Sequence, residues 1–370
     1  MVQIVILFAV FVISLIGTSQ LAKIGLFLDT PTDRSNHTTA TPRTGGLAIF
    51  LAWVFGCAAF SVVDPSLAGD GPGTDKISLY GALIAVTIPA FVIGLADDWR
   101  SLSAGFRLGL QVFAAALFVI TFGGLETVPS PFGGSVALGF LGPLITVFWM
   151  VAFMNAFNFI DGANGMAGLT GACGAVAISI AASLEGQPSI AFVSICLAAA
   201  ILGFLPFNFP SGRIFLGDAG ALSIGFVLSA LAILMANSPD NSVYAIFVPI
   251  VFLPLLFDVG ATLLSRALRG QALFESHSEH AYQMVMRFGA SHWLVSGLFF
   301  SLTLAGSALA LYLLPLESVT QWIAVVAFAG FLAPGYVLLH HKAMEKGTLS
   351  KGQGSAPAPE NQQSANHQGL

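Results

Sequence analysis

The sequence predicts an all-α polytopic integral membrane protein with about eleven transmembrane helices, and three observations support this fold class. Of the 370 residues, 56% are hydrophobic and only 8% are charged, whereas roughly a quarter of the residues in a soluble domain are charged. Apolar runs of about 20 residues, long enough to cross a bilayer as a helix, recur along the chain. Basic residues are concentrated on alternate loops, as in multi-pass membrane proteins.

Each apolar run is long enough to form one spanning helix. In chain order the runs cover residues 2–22, 44–63, 77–96, 104–122, 138–157, 165–183, 189–207, 219–236, 243–264, 292–314 and 320–340. The first run lacks a preceding basic segment and a small-residue cleavage site, so we expect a first helix and not a signal peptide. Residues 1–340 therefore form one predicted transmembrane domain. Residues 341–370, which become rich in Gln, Ser, Gly, Ala and Pro, form a predicted tail that is mostly disordered.

The basic residues assign the loops to the two sides of the membrane. Twelve of the thirteen Lys and Arg residues fall on odd-numbered loops or on the C-terminal segment, and Lys76 is the exception. The twelve are Lys23, Arg34, Arg43, Arg100, Arg107, Arg213, Arg266, Arg269, Arg287, Lys342, Lys346 and Lys351. The positive-inside rule then predicts a cytoplasmic C-terminus, cytoplasmic odd-numbered loops and an N-terminus on the outer side.

Four short polar segments adjoin the apolar runs, and all four fall on odd-numbered loops. They cover residues 96–100, 155–165, 215–220 and 277–283. Because they share one predicted side, we expect them to meet at a single cytoplasmic surface. Carboxylate and amide oxygens are the hard ligands that Mg²⁺ takes, with waters and substrate phosphates completing its shell. A cation of this kind, together with basic side chains, stabilises the charge of a reacting diphosphate.

The first two segments also have structural interpretations. Asp97 and Asp98 end a spanning helix, where they either face a cation or are solvated. Polar residues then recur at every third position of the second segment, namely Asn155, Asn158, Asp161 and Asn164. On a continuous helix these four would share one face. Gly162 and Gly165 instead predict a break where backbone can approach a ligand. Asn also joins membrane helices by hydrogen bonds, which is the structural alternative.

The remaining acids and histidines have two interpretations each. Asp218, between two glycines ahead of an apolar run, is either a helix cap or a metal ligand beside backbone donors. His277 and His280 have no Cys or third His with them, so we favour phosphate contacts over a zinc site. Asp258 lies within the ninth apolar run, where it either lines a cleft or pairs with a polar neighbour.

In this order and on alternating loops, the four segments resemble those of the polyprenyl-phosphate N-acetylhexosamine-1-phosphate transferases, glycosyltransferase family 4. The similarity extends from about residue 29 to residue 283. Residues 34–46, which contain R-S-N-H and T-P-R-T-G-G, resemble the branch that initiates O-antigen synthesis, as do Asn208 and Pro210 ahead of residues 213–218. Ser278 departs from the family, which has an arginine there.

The resemblance implies transfer of N-acetylhexosamine-1-phosphate from a UDP-sugar, UDP-GlcNAc or a 6-deoxy relative, to undecaprenyl phosphate with release of UMP. This reaction would be the first membrane step in the synthesis of O-antigen or another cell-envelope polysaccharide. It implies a requirement for Mg²⁺, with Mn²⁺ as a substitute, and a bacterial inner-membrane location with a periplasmic N-terminus. The expected partners are the UDP-N-acetylhexosamine, undecaprenyl phosphate and the lipid bilayer, with no nucleic acid. Whether the protein is a homodimer stays open.

Residue by residue, the resemblance implies Asn158 and Asp218 as metal ligands. The predicted catalytic residues are Asp97, Asp98, His277 and His280. The predicted substrate-binding residues are Arg43, Arg107, Asn155, Asp161, Asn164 and Arg213. The alternative function is a secondary transporter with an intramembrane Asp/Asn ion site, which would show inverted repeats and polar residues near the bilayer midplane.

Overall fold

The computed structural model describes residues 1–30, 40–63, 78–237, 242–272 and 279–346. Its α-helices are, in chain order, α1 Val2–Ile24, α2 Gly45–Val63, α3 Leu79–Trp99, α4 Ala104–Phe122, α5 Leu141–Phe159, α6 Met166–Leu184, α7 Pro188–Asn208, α8 Gly217–Ala236, α9 Phe247–Val251, α10 Leu253–Leu268, α11 Ala281–Arg287, α12 His292–Leu313 and α13 Ser318–Glu345. A 3₁₀ helix, Ser242–Ile246, precedes α9. Two antiparallel strand pairs join β1 Leu28–Asp29 to β2 Thr41–Pro42, and β3 Thr127–Pro129 to β4 Ser135–Ala137.

The structure confirms the predicted all-α polytopic membrane fold. Within the described ranges, ten helices are long and apolar enough to cross a membrane, and the bent pair α9–α10 makes an eleventh span if it counts as one. Helices satisfy their own backbone hydrogen bonds, which the bilayer core cannot do for them. The last helix is longer than its predicted run, because α13 continues to Glu345, within the predicted tail. The rest of that tail, from residue 347, lies outside the described residues.

The ninth predicted run, residues 243–264, is not one straight helix. Its two helical parts are bent by 76°. Pro254 lies in the first turn of α10, where its missing N–H leaves no hydrogen bond unmade. Asp258, Thr262 and Arg266 then follow at four-residue spacing and are all buried. This spacing puts them on one face of α10, which directs a polar stripe into the protein.

Helix α8 lies at the centre of the bundle. Every residue of α8 is buried except Asp218, and the helix packs against α2, α3 and α5. A helix that is apolar on all sides has no polar face to present to water, so it is stable only when it is surrounded. The sequence of α8 therefore suits the bundle centre and leaves its N-terminal acid as the one accessible position.

The N-terminus of α8 meets its neighbours backbone to backbone. A Cβ atom at Gly94 of α3 would lie 2.5 Å from the Cα of Ala219 and closer still to the Asp218 carbonyl. Gly217 has a φ of +75°, and a Cβ there would overlap the carbonyl oxygen of Arg43. A side chain at either glycine would therefore push α8 away from α3 or from the segment that precedes α2.

The segment that precedes α2 is fixed to the loop that precedes α8. The Phe215 N–H donates to the Pro42 carbonyl at 2.8 Å, and the Gly45 N–H donates to the Phe215 carbonyl at 3.0 Å. These two backbone bonds flank Arg43 and place it beside the start of α8. The family-like residues 34–37 lie outside the described ranges.

Candidate active site

Helix ends bring the main polar residues together. Asp97 and Asp98 lie in the last turn of α3, Asn158 lies in the last turn of α5, and Asp218 lies in the first turn of α8. Successive spans alternate in direction, so these three ends open toward the same face of the membrane. Hydrogen bonds that join α3 to α8 and α5 to α8 confirm that the segments converge.

Both carboxylate oxygens of Asp98 accept backbone hydrogen bonds from α8. Oδ1 accepts the Asp218 N–H at 2.9 Å, and Oδ2 accepts the Ala219 N–H at 2.9 Å. The first amides of a helix have no partners within the helix, and the partial positive charge there favours an anion. Asp98 is therefore a helix cap that is supplied by another helix.

Asp97 has different partners from its neighbour. Its Oδ1 accepts the Leu102 N–H at 2.7 Å, and its Oδ2 forms an ion pair with Arg107 at 2.7 Å. Its carboxyl group also lies within hydrogen-bonding reach of the Asp218 carboxyl group. The Asp97 side chain is only 5% exposed, whereas that of Arg107 is 30% exposed. Arg107 thus has surface left for a substrate while it neutralises the buried acid.

Asp218 and Asn158 are in direct contact, because the Asn158 amide group donates to Asp218 Oδ1 at 2.5 Å. Amide nitrogen and oxygen are assigned from the hydrogen-bond network, so a half-turn of the Asn158 amide would present its oxygen instead. Asp218, Asn158 and Asp97 then form a set of hard oxygen donors. Among the described residues, no three His, Cys, Asp or Glu side chains form a metal-binding group by themselves. The set suits Mg²⁺, which takes one or two protein ligands and leaves the other positions to waters and phosphates.

Asp161 approaches the same helix terminus from the turn after α5. Its carboxylate accepts a hydrogen bond from the Gly217 N–H. Burial raises the pKa of Asp161 well above its usual value, the negative charges of Asp218 and Asp98 raise it further, and the bond from Gly217 opposes the shift. Part of the Asp161 surface stays accessible.

The four polar residues at three-residue spacing are divided between the end of α5 and the turn that follows it, as the glycines predict. α5 ends at Phe159, and α6 begins only at Met166. Asp161 and Asn164 therefore lie in the intervening turn. Gly165, with a φ of +83°, confirms the predicted break.

Arg43 adds positive charge beside the acids. It forms an ion pair with Asp29 at 2.6 Å, and its side chain is 40% exposed. Burial lowers the pKa of the guanidinium, but the hydrogen bond and charge of Asp29, with the charges of Asp218 and Asp98, outweigh it and raise the pKa. Arg43 therefore stays cationic and accessible. Arg213, by contrast, is exposed on the loop that precedes α8.

Two of the predicted substrate-binding amides have structural partners. Asn155 donates to Gln111 Oε1 at 2.6 Å and to the Val151 carbonyl at 2.8 Å, which joins α5 to α4. The Asn164 side-chain amide donates to the Pro210 carbonyl at 3.3 Å, and the Asn164 backbone carbonyl accepts the Ser296 hydroxyl of α12 at 2.7 Å. Hydrogen bonding between helices, the alternative for this segment, thus describes the Asn155 contact, whereas the Asn164 side chain bonds to the loop that precedes α8. Gln111 was missed by the sequence analysis, although a buried amide inside the fourth apolar run is a signal for such a partner.

Asn208 fixes the turn after α5 against the loop before α8. Its Oδ1 accepts the Gly165 N–H at 2.6 Å, and its Nδ2 donates to the Ile214 carbonyl at 2.9 Å. The side chain is buried, so both bonds are shielded from water. One amide thus sets the spacing between Asp161 and Asp218.

The histidine segment is only partly described, because His277 and Ser278 lie outside the described residues. His280 is 2% exposed, its ring centroid lies 5.2 Å from that of Phe159, and its Nδ1 lies 3.9 Å from Asp258 Oδ1. His280 is thus a buried contact beside Asp258, and its predicted contact with a phosphate stays a prediction. Asp258 itself accepts the Ala281 N–H at 2.7 Å, so it pairs with a polar neighbour and caps α11.

Further contacts fix α11 to the bundle. The Tyr282 hydroxyl donates to the Phe159 carbonyl at 2.7 Å, which ties α11 to the end of α5. Arg266 and Arg269 both form ion pairs with Glu279, the residue before His280. The two arginines are therefore structural braces for this segment and do more than mark the inner side of the membrane.

Comparison with known proteins finds a family that is similar to the part of the chain that holds the acids. Residues 80–236 match the model of glycosyl transferase family 4, and this range contains Asp97, Asp98, Asn158, Asp161 and Asp218. This part of the chain is therefore similar to glycosyl transferase family 4. Relatives extend the similarity beyond the matched range, over most of the chain.

The chain is 29% identical over 335 residues to the probable undecaprenyl-phosphate N-acetylglucosaminyl 1-phosphate transferase of Bacillus subtilis (strain 168), and this alignment covers 88% of each protein. It is 28% identical over 336 residues to the decaprenyl-phosphate N-acetylglucosaminephosphotransferase of Mycobacterium tuberculosis (strain H37Rv), covering 81% of this chain and 80% of the relative. It is 29% identical over 330 residues to the undecaprenyl-phosphate alpha-N-acetylglucosaminyl 1-phosphate transferase of Escherichia coli (strain K12), covering 85% and 84%.

Proposed function

We propose that this protein transfers N-acetylglucosamine-1-phosphate from UDP-N-acetylglucosamine to undecaprenyl phosphate and releases UMP. The observation that carries the proposal is the convergence of Asp97, Asp98, Asp218 and Asn158 at one membrane face, within the range that matches the family. The names of the three relatives support a polyprenyl-phosphate acceptor and N-acetylglucosamine as the sugar. They do not support the transporter alternative, and neither does the position of the acids at helix ends.

The proposed reaction forms one phosphorus–oxygen bond and breaks another. An oxygen of the acceptor phosphate attacks the phosphorus that carries the sugar. The bond from that phosphorus to the bridging oxygen of the diphosphate breaks, and the bridging oxygen leaves with UMP. The product is undecaprenyl diphosphate N-acetylglucosamine. A phosphate monoester has its second pKa near about 6, so the acceptor is mostly dianionic at neutral pH and needs no general base to become a nucleophile.

The main demand on the protein is then to bring two anions together. Arg107 and Arg43 are the accessible cations beside the acids, and each is already oriented by an ion pair to Asp97 or Asp29. We assign them to the phosphates of the two substrates. Preorganised positive charge of this kind is effective because it needs no reorganisation as the reaction proceeds.

A divalent cation would complete the neutralisation. Asn158 and Asp218 are the two residues that we propose would hold Mg²⁺, with Asp97 beside them. Bound there, the ion would neutralise charge on the phosphoryl oxygens. The geometry of this site is set by the chain itself. Asp98, Asp161 and Asn208 fix the position of Asp218 relative to α3 and α5.

We also propose the bacterial inner membrane, with the acidic site on the cytoplasmic side, as the location, because the basic residues favour that orientation. Single cysteines in place of Ser101, next to the site, and Ser135, in strand β4, test the orientation, since both positions are exposed. In intact cells an impermeant thiol reagent should label the cysteine at Ser135 and not the one at Ser101. Labelling at Ser101 from outside would contradict the orientation.

The reaction is tested with purified protein in detergent, Mg²⁺, undecaprenyl phosphate and radiolabelled UDP-N-acetylglucosamine. Label should appear in butanol-extractable lipid together with stoichiometric UMP, and the Asp218→Ala protein should show neither. A transporter would instead move intact UDP-sugar into proteoliposomes without forming lipid product. A parallel series of 6-deoxy donors tests the sugar, and the envelope polysaccharide that disappears in a deletion strain tests the proposed place in O-antigen synthesis.

A further inference from the structure

The two adjacent acids at the end of α3 have different surroundings, and this difference assigns a role to one of them. We propose that Asp98 is a positioning residue, which acts on the reaction through the N-terminus of α8 and does not contact either substrate. The proposal rests on the proposed function, because it explains how the acidic site for that reaction is held in place.

Helix α8 has no cap of its own. The residue at its N-cap position is Leu216, whose side chain makes no capping hydrogen bond. Carboxylates from other segments instead accept the hydrogen bonds of the first α8 amides. Asp98 of α3 accepts the Asp218 and Ala219 N–H groups, and Asp161 accepts the Gly217 N–H. Three successive amides are thus satisfied by two side chains from other segments.

The geometry leaves Asp98 little freedom to do anything else. Its two oxygens each accept one backbone bond at 2.9 Å, so both are directed at α8. The backbone beside them is closely packed, since a Cβ at Gly217 would lie 2.8 Å from Asp98 Oδ2. By contrast, Asp97 uses its oxygens on Arg107, on the Leu102 N–H and near the Asp218 carboxyl group.

Asp98 affects the reaction by fixing the position of Asp218. Its backbone N–H is bonded to Asp98, and its side chain contacts Asn158. Asp98 therefore sets the distance between α3 and the residue on α8 that carries the other acid of the site. Loss of this cap would move Asp218 without removing any group that touches a phosphate.

The shape and the charge of Asp98 can be separated by substitution. Asp98→Asn keeps the size and one acceptor oxygen but removes the charge, Asp98→Glu keeps the charge but is too long for the packed terminus, and Asp98→Ala removes both. If Asp98 positions α8, the Asn protein should lose about tenfold in kcat, and the Glu and Ala proteins should lose about 100-fold or more. The KM values for both substrates should change little in the Asn protein.

Hydrogen exchange provides a readout that does not depend on catalysis or on the cation. Peptides that cover the start of α8 should exchange faster in the Ala protein than in the wild type, and the Asn protein, which keeps one of the two acceptor oxygens, should lie between them. An Asp98→Asn protein that is unfolded, or that is inactive while Asp98→Glu is active, would overturn the proposal. So would an Asp98→Ala protein whose α8 peptides exchange at the wild-type rate. A wild-type protein without transferase activity would instead contradict the proposed function, and the exchange comparison would still decide the role of Asp98.

Discussion

Replacing Gly94 with alanine should separate α3 from the start of α8 and thereby disable the candidate site. The added Cβ would lie 2.5 Å from the Cα of Ala219 and closer to the Asp218 carbonyl. Comfortable contact between carbon atoms requires roughly 3.5 Å, so the two helices must part by about 1 Å. The obstructing atoms belong to the backbone, so no change of side-chain rotamer can relieve the overlap.

The size of the effect follows from this displacement. A shift of about 1 Å would lengthen the bonds from Asp98 to the Asp218 and Ala219 amides from 2.9 Å to about 3.9 Å, beyond hydrogen-bonding distance. Overpacking of this kind costs about 1–3 kcal/mol of stability. A misplacement of about 1 Å costs an enzyme about 100-fold in rate. We therefore expect a lower Tm and a kcat reduced about 100-fold.

The assay compares transfer of N-acetylglucosamine-1-phosphate and thermal unfolding for the Gly94→Ala protein and a matched control. Gly109 is the control, because it lies in α4 with nothing within 4 Å of its added Cβ. The Gly109→Ala protein should be as active as the wild type and slightly more stable, since alanine favours a helix over glycine by about 0.5–1 kcal/mol. A Gly94→Ala protein with the Tm and kcat of the wild type would refute the reasoning about the close approach of α3 to α8.

Three further predictions concern single side chains. Asp218→Ala removes the only charged member of the proposed ligand pair with Asn158, so turnover in Mg²⁺ should be abolished while the protein stays folded, and Asp218→Asn should leave at most weak activity. Burial and neighbouring negative charge raise the pKa of Asp161, so the folded protein favours the protonated carboxyl group. The stability that this group contributes is therefore lost as the pH rises from about 4 through the raised pKa. The Tm of Asp161→Asn relative to the wild type should therefore increase between about pH 5 and pH 8 without divalent cations. Tyr282→Phe removes the bond to the Phe159 carbonyl, which should cost about 1 kcal/mol and lower the Tm.

The outcomes that contradict these predictions are specific. Near wild-type turnover by Asp218→Ala in Mg²⁺ would exclude Asp218 as the essential ligand. A Tm difference for Asp161→Asn that is constant or shrinks as the pH rises would contradict the raised pKa of Asp161. The control for Tyr282→Phe is Tyr312→Phe, because the Tyr312 residue is 71% exposed and should tolerate the change. Equal losses in the two phenylalanine variants would show that the bond to α5 contributes nothing.

The sequence by itself determined the helical class, the approximate spans and the acids that meet at one end of the bundle. These features depend on local properties. A run of about 20 apolar residues must form a helix in lipid, because no water is present to satisfy its backbone. Asp97, Asp98 and Asp218 stand out in the sequence for the same reason, since an acid next to a spanning run is costly unless it has a partner. Locating them therefore required no knowledge of the partner.

The tertiary structure decided which partner each acid has. Asp98 and Asp97 are neighbours with the same chemistry, yet one caps α8 and the other pairs with Arg107. The 76° bend between α9 and α10 was likewise not predicted. The Asp98 and Asp218 positions are 120 residues apart in the chain. Contacts of that separation depend on how the helices pack around α8, and the apolar pattern of a single helix contains no information about the distance to another.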